Sequence, residues 1–434
     1  MSFRPDEVDP ANPYPLYRWY REHDPVHRAE DGSWYLFGHQ AVARVLSGRA
    51  DYRRGPHPVP VPPDCPHLAR TVARWTVSLA PPEHTRVRAL VARSLAPRTV
   101  QLLRPRIRRL AEELAEALAA ELAERGEADF VGAFAAPLPV LVISELLGVP
   151  RTDRAWFRAR AVELRQATGA RPAVDATAGG YRRAERAAVE LDGYVRAELR
   201  SGACRERGDL LGAMLRHAGE LPEDTVVATC LHLLTAGHGT TTGLLANGLL
   251  ALLEHPKELA LLRSRPQLAG PAVAELLRYD PPVQLITRYA GRADRIEGRE
   301  VAEGSAVTLV LGSANRDPAR FRDPDRLDLL RDSHRHHGFG GGIHSCAGAP
   351  LARAEVELGL TAVLARLPRI ALARHVPEPV RWSPDLVVHG PERLLVCGQQ
   401  DARDPVVPPA HCPVVPPAHC AAGGTGPAAG GRTS

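Results

Sequence analysis

The chain has 434 residues, 44% of them hydrophobic and 24% charged, enough apolar material for a large buried core and too much for an extended disordered protein. The formal net charge is +5, and the basic residues are almost all scattered arginines, Lys257 being the only lysine, so a nucleic-acid-binding protein is not indicated. The seven cysteines are odd in number and mostly far apart, the N-terminus is polar and proline-rich, and no run of about eighteen apolar residues follows, so the expectation is a cytoplasmic protein with neither export signal nor membrane anchor. In chain order, Ser33–Phe37 reads as a short strand, and Gly55–Pro66 holds too many prolines for a helix or a central strand. Apolar and alanine positions recur at helical spacing over Gln101–Arg125 and over 155–166, 181–200, 224–254 and 271–279. Val301–Leu311 and Leu394–Val396 read as strands again. The fold class is therefore mainly α with small β-sheets. From Gln399 onward a perfect tandem octapeptide, Pro405–Cys412 and Pro413–Cys420, runs into Gly, Ala, Thr and Ser, so the chain divides into a folded unit over 1–398 and a disordered tail over 399–434. The pairs His411-Cys412 and His419-Cys420 raise a zinc-binding tail as an alternative, but flexible proline-rich repeats offer no preorganised cage.

One segment carries most of the chemistry. Phe339-Gly340-Gly341-Gly342-Ile343-His344-Ser345-Cys346-Ala347-Gly348 places a single cysteine in a glycine-dense loop, directly before the apolar start of a helix at Leu351. Glycines at 340, 342 and 348 let backbone approach a flat ligand and the sulfur, and neighbouring amide N–H groups temper a thiolate. A haem iron is the natural partner, because thiolate donation assists O–O cleavage where a histidine ligand suits oxygen carriage. A dinucleotide loop would need glycine where Ile343 stands.

The pattern Phe-Gly-x-Gly-x-His-x-Cys-x-Gly resembles the haem-binding loop of the cytochrome P450 superfamily at every defined position, and the similarity to its soluble actinobacterial members runs from about Asp9 to Gly398. That resemblance implies a P450 fold with a long central helix over the haem and the Cys346 ligand loop beneath it, haem b as cofactor, and Phe339, Gly340, Gly348 and Ala236 against the macrocycle. It implies His84, Arg88, Arg288 and His344 as partners of the two propionates. It also implies that Glu275 and Arg278, one helical turn apart, form a structural lock with Arg326 of Pro324-Asp325-Arg326.

The stretch from Leu221 predicts a helix long enough to cross the molecule, and its centre, Thr235-Ala236-Gly237-His238-Gly239-Thr240, resembles the family's oxygen-activating motif with Gly239 in place of its acid. Two glycines there favour a local bulge. Thr240 takes the place of the oxygen-side alcohol, and the protons that a carboxylate would relay must come through extra water beside Gly239, from the substrate, or from His238 turned inward. His238 otherwise reads as a helix-packing residue.

The resemblance places substrate contacts between Arg53 and Ser78, over 160–190, along Leu231–Gly239 including Leu233, at Val283, Gln284, Leu285 and Ile286, and near Val388. The implied activity is a monooxygenase that hydroxylates or epoxidises a small molecule in secondary metabolism. Oxidative coupling of aryl, phenol or peptide side chains is the alternative, and a non-catalytic haem protein is the reading of another class. The cysteines lack iron–sulfur spacing, so electrons are expected from outside the chain, and the resemblance implies NAD(P)H acting through an external ferredoxin and ferredoxin reductase that dock on arginines near the Cys loop of a monomer. Arg331-Asp332-Ser333-His334-Arg335-His336-His337, just before that loop, reads as a solvated basic segment rather than a metal site.

Overall fold

The structure, a computed structural model, describes residues 3–48, 51–54, 61–168, 178–202, 204, 210–217, 221–384 and 386–398. The octapeptide tail, the His-Cys pairs and part of the proline-rich loop at 55–66 lie outside the described residues.

Helices dominate where the apolar period predicts them: Pro97–Arg125, Arg154–Thr168, Ala178–Ser201, Glu223–Glu254 and Ala269–Tyr279. Each begins a few residues before the periodic stretch, or at its edge, because first-turn positions need no buried side chain. Proline enters the first turn of Pro97–Arg125, where its missing N–H costs nothing, and Gly126 closes that helix at φ +78°.

Glu223–Glu254 is the axis of the molecule. Its 32 residues span about 48 Å at ~1.5 Å per residue. It is apolar nearly all round because other helices enclose it, the pattern of a buried rather than a surface helix. Small residues permit close crossings. A side chain at Gly243 would meet Pro282 at 3.0 Å and the His389 carbonyl at 3.1 Å. The expected bulge at Gly237 and Gly239 is not formed: the helix is continuous through both. Packing outweighs the low propensity of glycine, with Ile143 Cδ1 3.7 Å from where a Cβ on Gly237 would stand.

The β structure is confined to small sheets. A five-stranded sheet runs in the order Val26–Arg28, Trp34–Leu36, Ala306–Val310, Leu285–Ala290, Tyr52–Arg53, with Trp34–Leu36 and Ala306–Val310 parallel and the other pairs antiparallel. The expected strand at 301–311 is two strands, since the chain turns at Gly304 (φ +78°) between Arg299–Val301 and Ala306–Val310. The last strand, Pro391–Gly398, pairs with Val380–Trp382, Glu127–Asp129 and Ile370–Leu372. One large apolar core joins the helices, and two smaller ones lie against the five-stranded sheet. Among the described residues, no helix is long and apolar enough to cross a membrane.

Candidate active site

A cavity of about 290 Å³ lies between the middle of the long helix and the loop that carries Cys346. Its roof is Leu233, Ala236, Gly237, Thr240 and Thr241, its floor Phe339, Gly340, Cys346 and Gly348, and Val283, Ile286 and Leu311 form part of the wall.

The Cys loop owes its shape to glycine. Gly340 and Gly342 take φ of +67° and +63°, conformations that an L side chain resists. A Cβ on Gly342 would collide with the Leu46 carbonyl oxygen, so this loop packs directly on the end of helix His39–Leu46. The Cys346 N–H donates to the Phe339 carbonyl (2.8 Å) and the Gly340 N–H to the His337 carbonyl (2.7 Å), which closes the loop on itself. Protein surrounds the sulfur, yet Cys346 has open surface because it faces the cavity rather than bulk water. Burial pushes its thiol up, against the pull of the Gly348 and Ala349 N–H groups and of Arg88.

Cations gather at one end. Arg54, Arg88 and Arg288 line the cavity with His84 and His344, whose rings are 4.5 Å apart. Arg88 Nη2 donates to Ser345 Oγ (3.3 Å), Arg288 Nη1 to the Thr287 carbonyl (2.9 Å) and Arg54 Nη1 to the Val77 carbonyl (3.4 Å). None of the three guanidiniums pairs with a carboxylate among the described residues. Burial followed by the field of Arg54 pushes His344 down to about 3 and Arg288 down to about 10, and His84 is lowered by burial, Arg88 and Arg54. The imidazoles are therefore neutral donors near neutral pH. Cations without carboxylate partners in a largely apolar cavity, with a sulfur in its floor, match a ligand with two carboxylates and a metal at its centre. These residues fit haem.

Comparison with known proteins bears on the same point. The family model described as Cytochrome P450 matches residues 267–396. Over 398 residues the chain is 38% identical to the cytochrome P450 monooxygenase PikC of Streptomyces venezuelae, covering 89% of this chain and 91% of that one. The chain belongs to the cytochrome P450 family. Cyclomarin C epoxidase CymV of Salinispora arenicola is a further relative of this P450, 37% identical over 88% of this chain and 95% of that one. Among solved structures, the Bacillus subtilis 168 bacillaene polyketide synthase cytochrome P450 PksS superposes with a TM-score of 0.77 at 32% identity, over 91% of this chain and 99% of that chain. This P450 is accordingly a haem-thiolate oxidoreductase of the monooxygenase type, and the reading as a non-catalytic haem protein is set aside.

The structure brings most of the residues singled out by sequence into this one cavity, with instructive exceptions. Within the P450 roof, Thr240 faces the cavity and its Oγ1 donates to the Ala236 carbonyl at 3.0 Å, which leaves lone pairs free to accept. Gly239 and His238 do not line it. His238 is buried on the far side, held down to about 3 by burial and then by Arg165 and Arg158, so its imidazole packs the helix and is not turned inward. A Cβ on Gly239 would stand 2.9 Å from Arg165 Nη1: at the position of the motif's acid, this chain has a guanidinium from a neighbouring helix alongside.

Three expected substrate contacts are corrected. Ile286 and Arg288 point into the cavity from the strand Leu285–Ala290, so strand alternation turns Leu285 away, into the core around Tyr17 and Phe37. Gln284 is fully buried and its amide donates to the Pro281 carbonyl (2.9 Å), Tyr14 Oη (3.2 Å) and Asp280 (3.3 Å). Val388 is half-buried outside the lining. Nothing described in 160–190 reaches the lining either.

The lock is also rewired. Glu275 and Arg278 are completely buried and joined by two bonds of 2.7 and 2.8 Å. Arg326 contributes only its carbonyl, to Arg278 Nη2 (3.2 Å), and its side chain is exposed. The second guanidinium on Glu275 is that of Arg331, at 3.2 Å, and Ser333 Oγ and the Asp328 N–H donate to the same carboxylate. The segment 331–337 is thus not uniformly solvated, since Ser333 and His336 are buried. No set of three potential metal ligands occurs among the described residues. Arg54, Arg165 and Arg331 were not singled out by sequence. Arg54 follows the two-residue strand Tyr52–Arg53, and no local pattern reveals which of many arginines turns inward.

Proposed function

We propose that this P450 holds haem b through the Cys346 thiolate and inserts oxygen into a small organic molecule of the natural-product type, by hydroxylation or epoxidation. The observation that carries this reading is the Cys346 sulfur opening onto an apolar cavity with unpaired guanidiniums at one end. Bound there, haem supplies dioxygen activation with reducing equivalents from outside the chain. The glycine floor with Phe339 supports the macrocycle, while Arg88, Arg288, His84 and His344 meet its propionates. Thr240 Oγ1, already bonded to the Ala236 carbonyl, can turn that proton toward a water in the cavity and accept another in exchange. Leu233, Val283 and Ile286 select substrate by shape in a largely apolar chamber.

The natural-product class is supported by relatives named as a cyclomarin C epoxidase and as part of a bacillaene polyketide synthase system. By analogy with the family, electrons come from NAD(P)H through an external ferredoxin and its reductase. Exposed Arg335 and Ile343 beside the Cys loop suit an acidic partner with an apolar centre. Cys346→Ala tests the central claim: the red-shifted carbon-monoxide difference band of thiolate-bound ferrous haem disappears, and its persistence overturns the reading.

A further inference from the structure

Three guanidiniums face this cavity, and a bound haem brings only two propionates. Arg54, Arg88 and Arg288 are all permanently charged, so the guanidiniums alone exceed the propionates by one. The described lining residues offer no charged carboxylate to neutralise the excess. Glu355 is the one carboxyl among the described lining residues, and its complete burial pushes that carboxyl well up, toward the uncharged form.

Arg54 is the guanidinium that differs from the others. It reaches the cavity from the edge strand Tyr52–Arg53, makes one long bond to the Val77 carbonyl (3.4 Å), and leaves its buried Nε without a partner. Beside it Thr76 also lines the cavity, and the Thr76 Oγ1 is buried and unpartnered too. Arg54 further stands close enough to the roof to add to the burial that pushes His232 down to about 3, an influence neither Arg88 nor Arg288 exerts. A guanidinium whose buried Nε has no partner and a buried, unpartnered hydroxyl, both in the cavity lining, form a receptor for an acceptor-rich anion.

We propose that Arg54 and Thr76 form a subsite that binds an anionic group of the substrate, a carboxylate, at the cavity end next to the haem propionates. The inference rests on the haem reading given above. A carboxylate entering there gains charge-assisted bonds in a site of low dielectric, and the rest of the molecule is directed along the apolar roof toward Thr240.

The test uses the haem-loaded protein with decanoate and its uncharged isostere decanamide, binding being followed by calorimetry and by the Soret shift. The wild-type protein should bind the carboxylate about tenfold or more tightly over the amide. Arg54→Gln should bring the two affinities together, and Arg54→Lys should keep part of the preference. Absence of a preference in the wild type, or a preference unchanged in Arg54→Gln, overturns the proposal. A faster transfer of haem to apomyoglobin from Arg54→Gln, with the carboxylate preference intact, also overturns it and assigns Arg54 to the propionates. The carbon-monoxide band, recorded on every sample, separates the two claims: if the band is present and the preference absent, this inference fails while the haem reading stands.

Discussion

The guanidinium of Arg165 lies 2.9 Å from the point where a Cβ on Gly239 would stand. The space that an acid would fill in this helix is therefore bordered by a cation from helix Arg154–Thr168, and a carboxylate introduced there would meet that cation before it met the cavity.

Gly239→Glu should accordingly retain haem but pair with Arg165, leaving the ratio of product to NADPH consumed within about twofold of wild type. Gly239→Glu combined with Arg165→Gln frees the carboxylate, and coupling should rise above both single variants. Equal coupling in the single and double variants removes the pairing argument. Gly239→Ala needs only a small movement of the Arg165 side-chain end and should be close to neutral in stability.

The rewired lock separates two arginines that sequence cannot. Arg326→Ala leaves the carbonyl that Arg278 uses and should shift stability by no more than about 0.5 kcal/mol. Arg331→Ala strips a charged partner from buried Glu275 and should cost about 1.5–3 kcal/mol. Glu275→Ala strands the buried Arg278 and should cost about 3–5 kcal/mol, enough to prevent recovery of folded protein. Thermal unfolding of purified Arg326→Ala and Arg331→Ala gives their order, and the yield of folded protein reads Glu275→Ala.

Gly342→Ala combines a positive φ with a collision against the Leu46 carbonyl oxygen, and backbone cannot yield as a side chain does. The strain of about 1–3 kcal/mol should fall on the Cys loop and appear as lost haem content as well as lowered Tm. Gly341→Ala meets the Leu46 side chain at 3.1 Å, with the Leu46 carbonyl oxygen at an ordinary contact distance of 3.7 Å, and should be milder. Equal haem loss from the two variants contradicts this account.

His238 and His336 are both pushed down to about 3, first by burial and then by nearby cations. Each folded value lies below the ordinary one near 6.5, so between the two the unfolded chain binds protons that the folded chain refuses. Stability is then full above about pH 6.5 and falls as pH drops toward 3. Replacing His238 with Asn should flatten the acid side of the Tm-versus-pH profile; an unchanged slope shows that His238 does not carry it.

Gln284→Ala should lower Tm through the bonds it loses to Pro281 and Tyr14, with little change in ligand affinity. Ile286→Ala enlarges the cavity and should change affinity for apolar ligands by about 1–3 kcal/mol. Titration of both variants with one ligand distinguishes the wall residue from the core residue.

Contiguous sequence by itself determined the family and the arrangement of the main helices. The Cys loop, the Glu-x-x-Arg pair and the Thr-Ala-Gly centre are local patterns, in which chemistry and spacing sit within about ten residues of one another. Strand alternation could also have told Ile286 from Leu285, because period two is a local property. Tertiary structure alone decided which side chains serve partners remote in sequence. Arg331 rather than Arg326 reaches Glu275 across 56 residues, Arg165 borders Gly239, and Arg54 turns into the cavity. The physical reason is that a buried charge takes whatever partner packing delivers to it. With almost every cation in this chain an arginine, residue type carries no hint of which will be delivered.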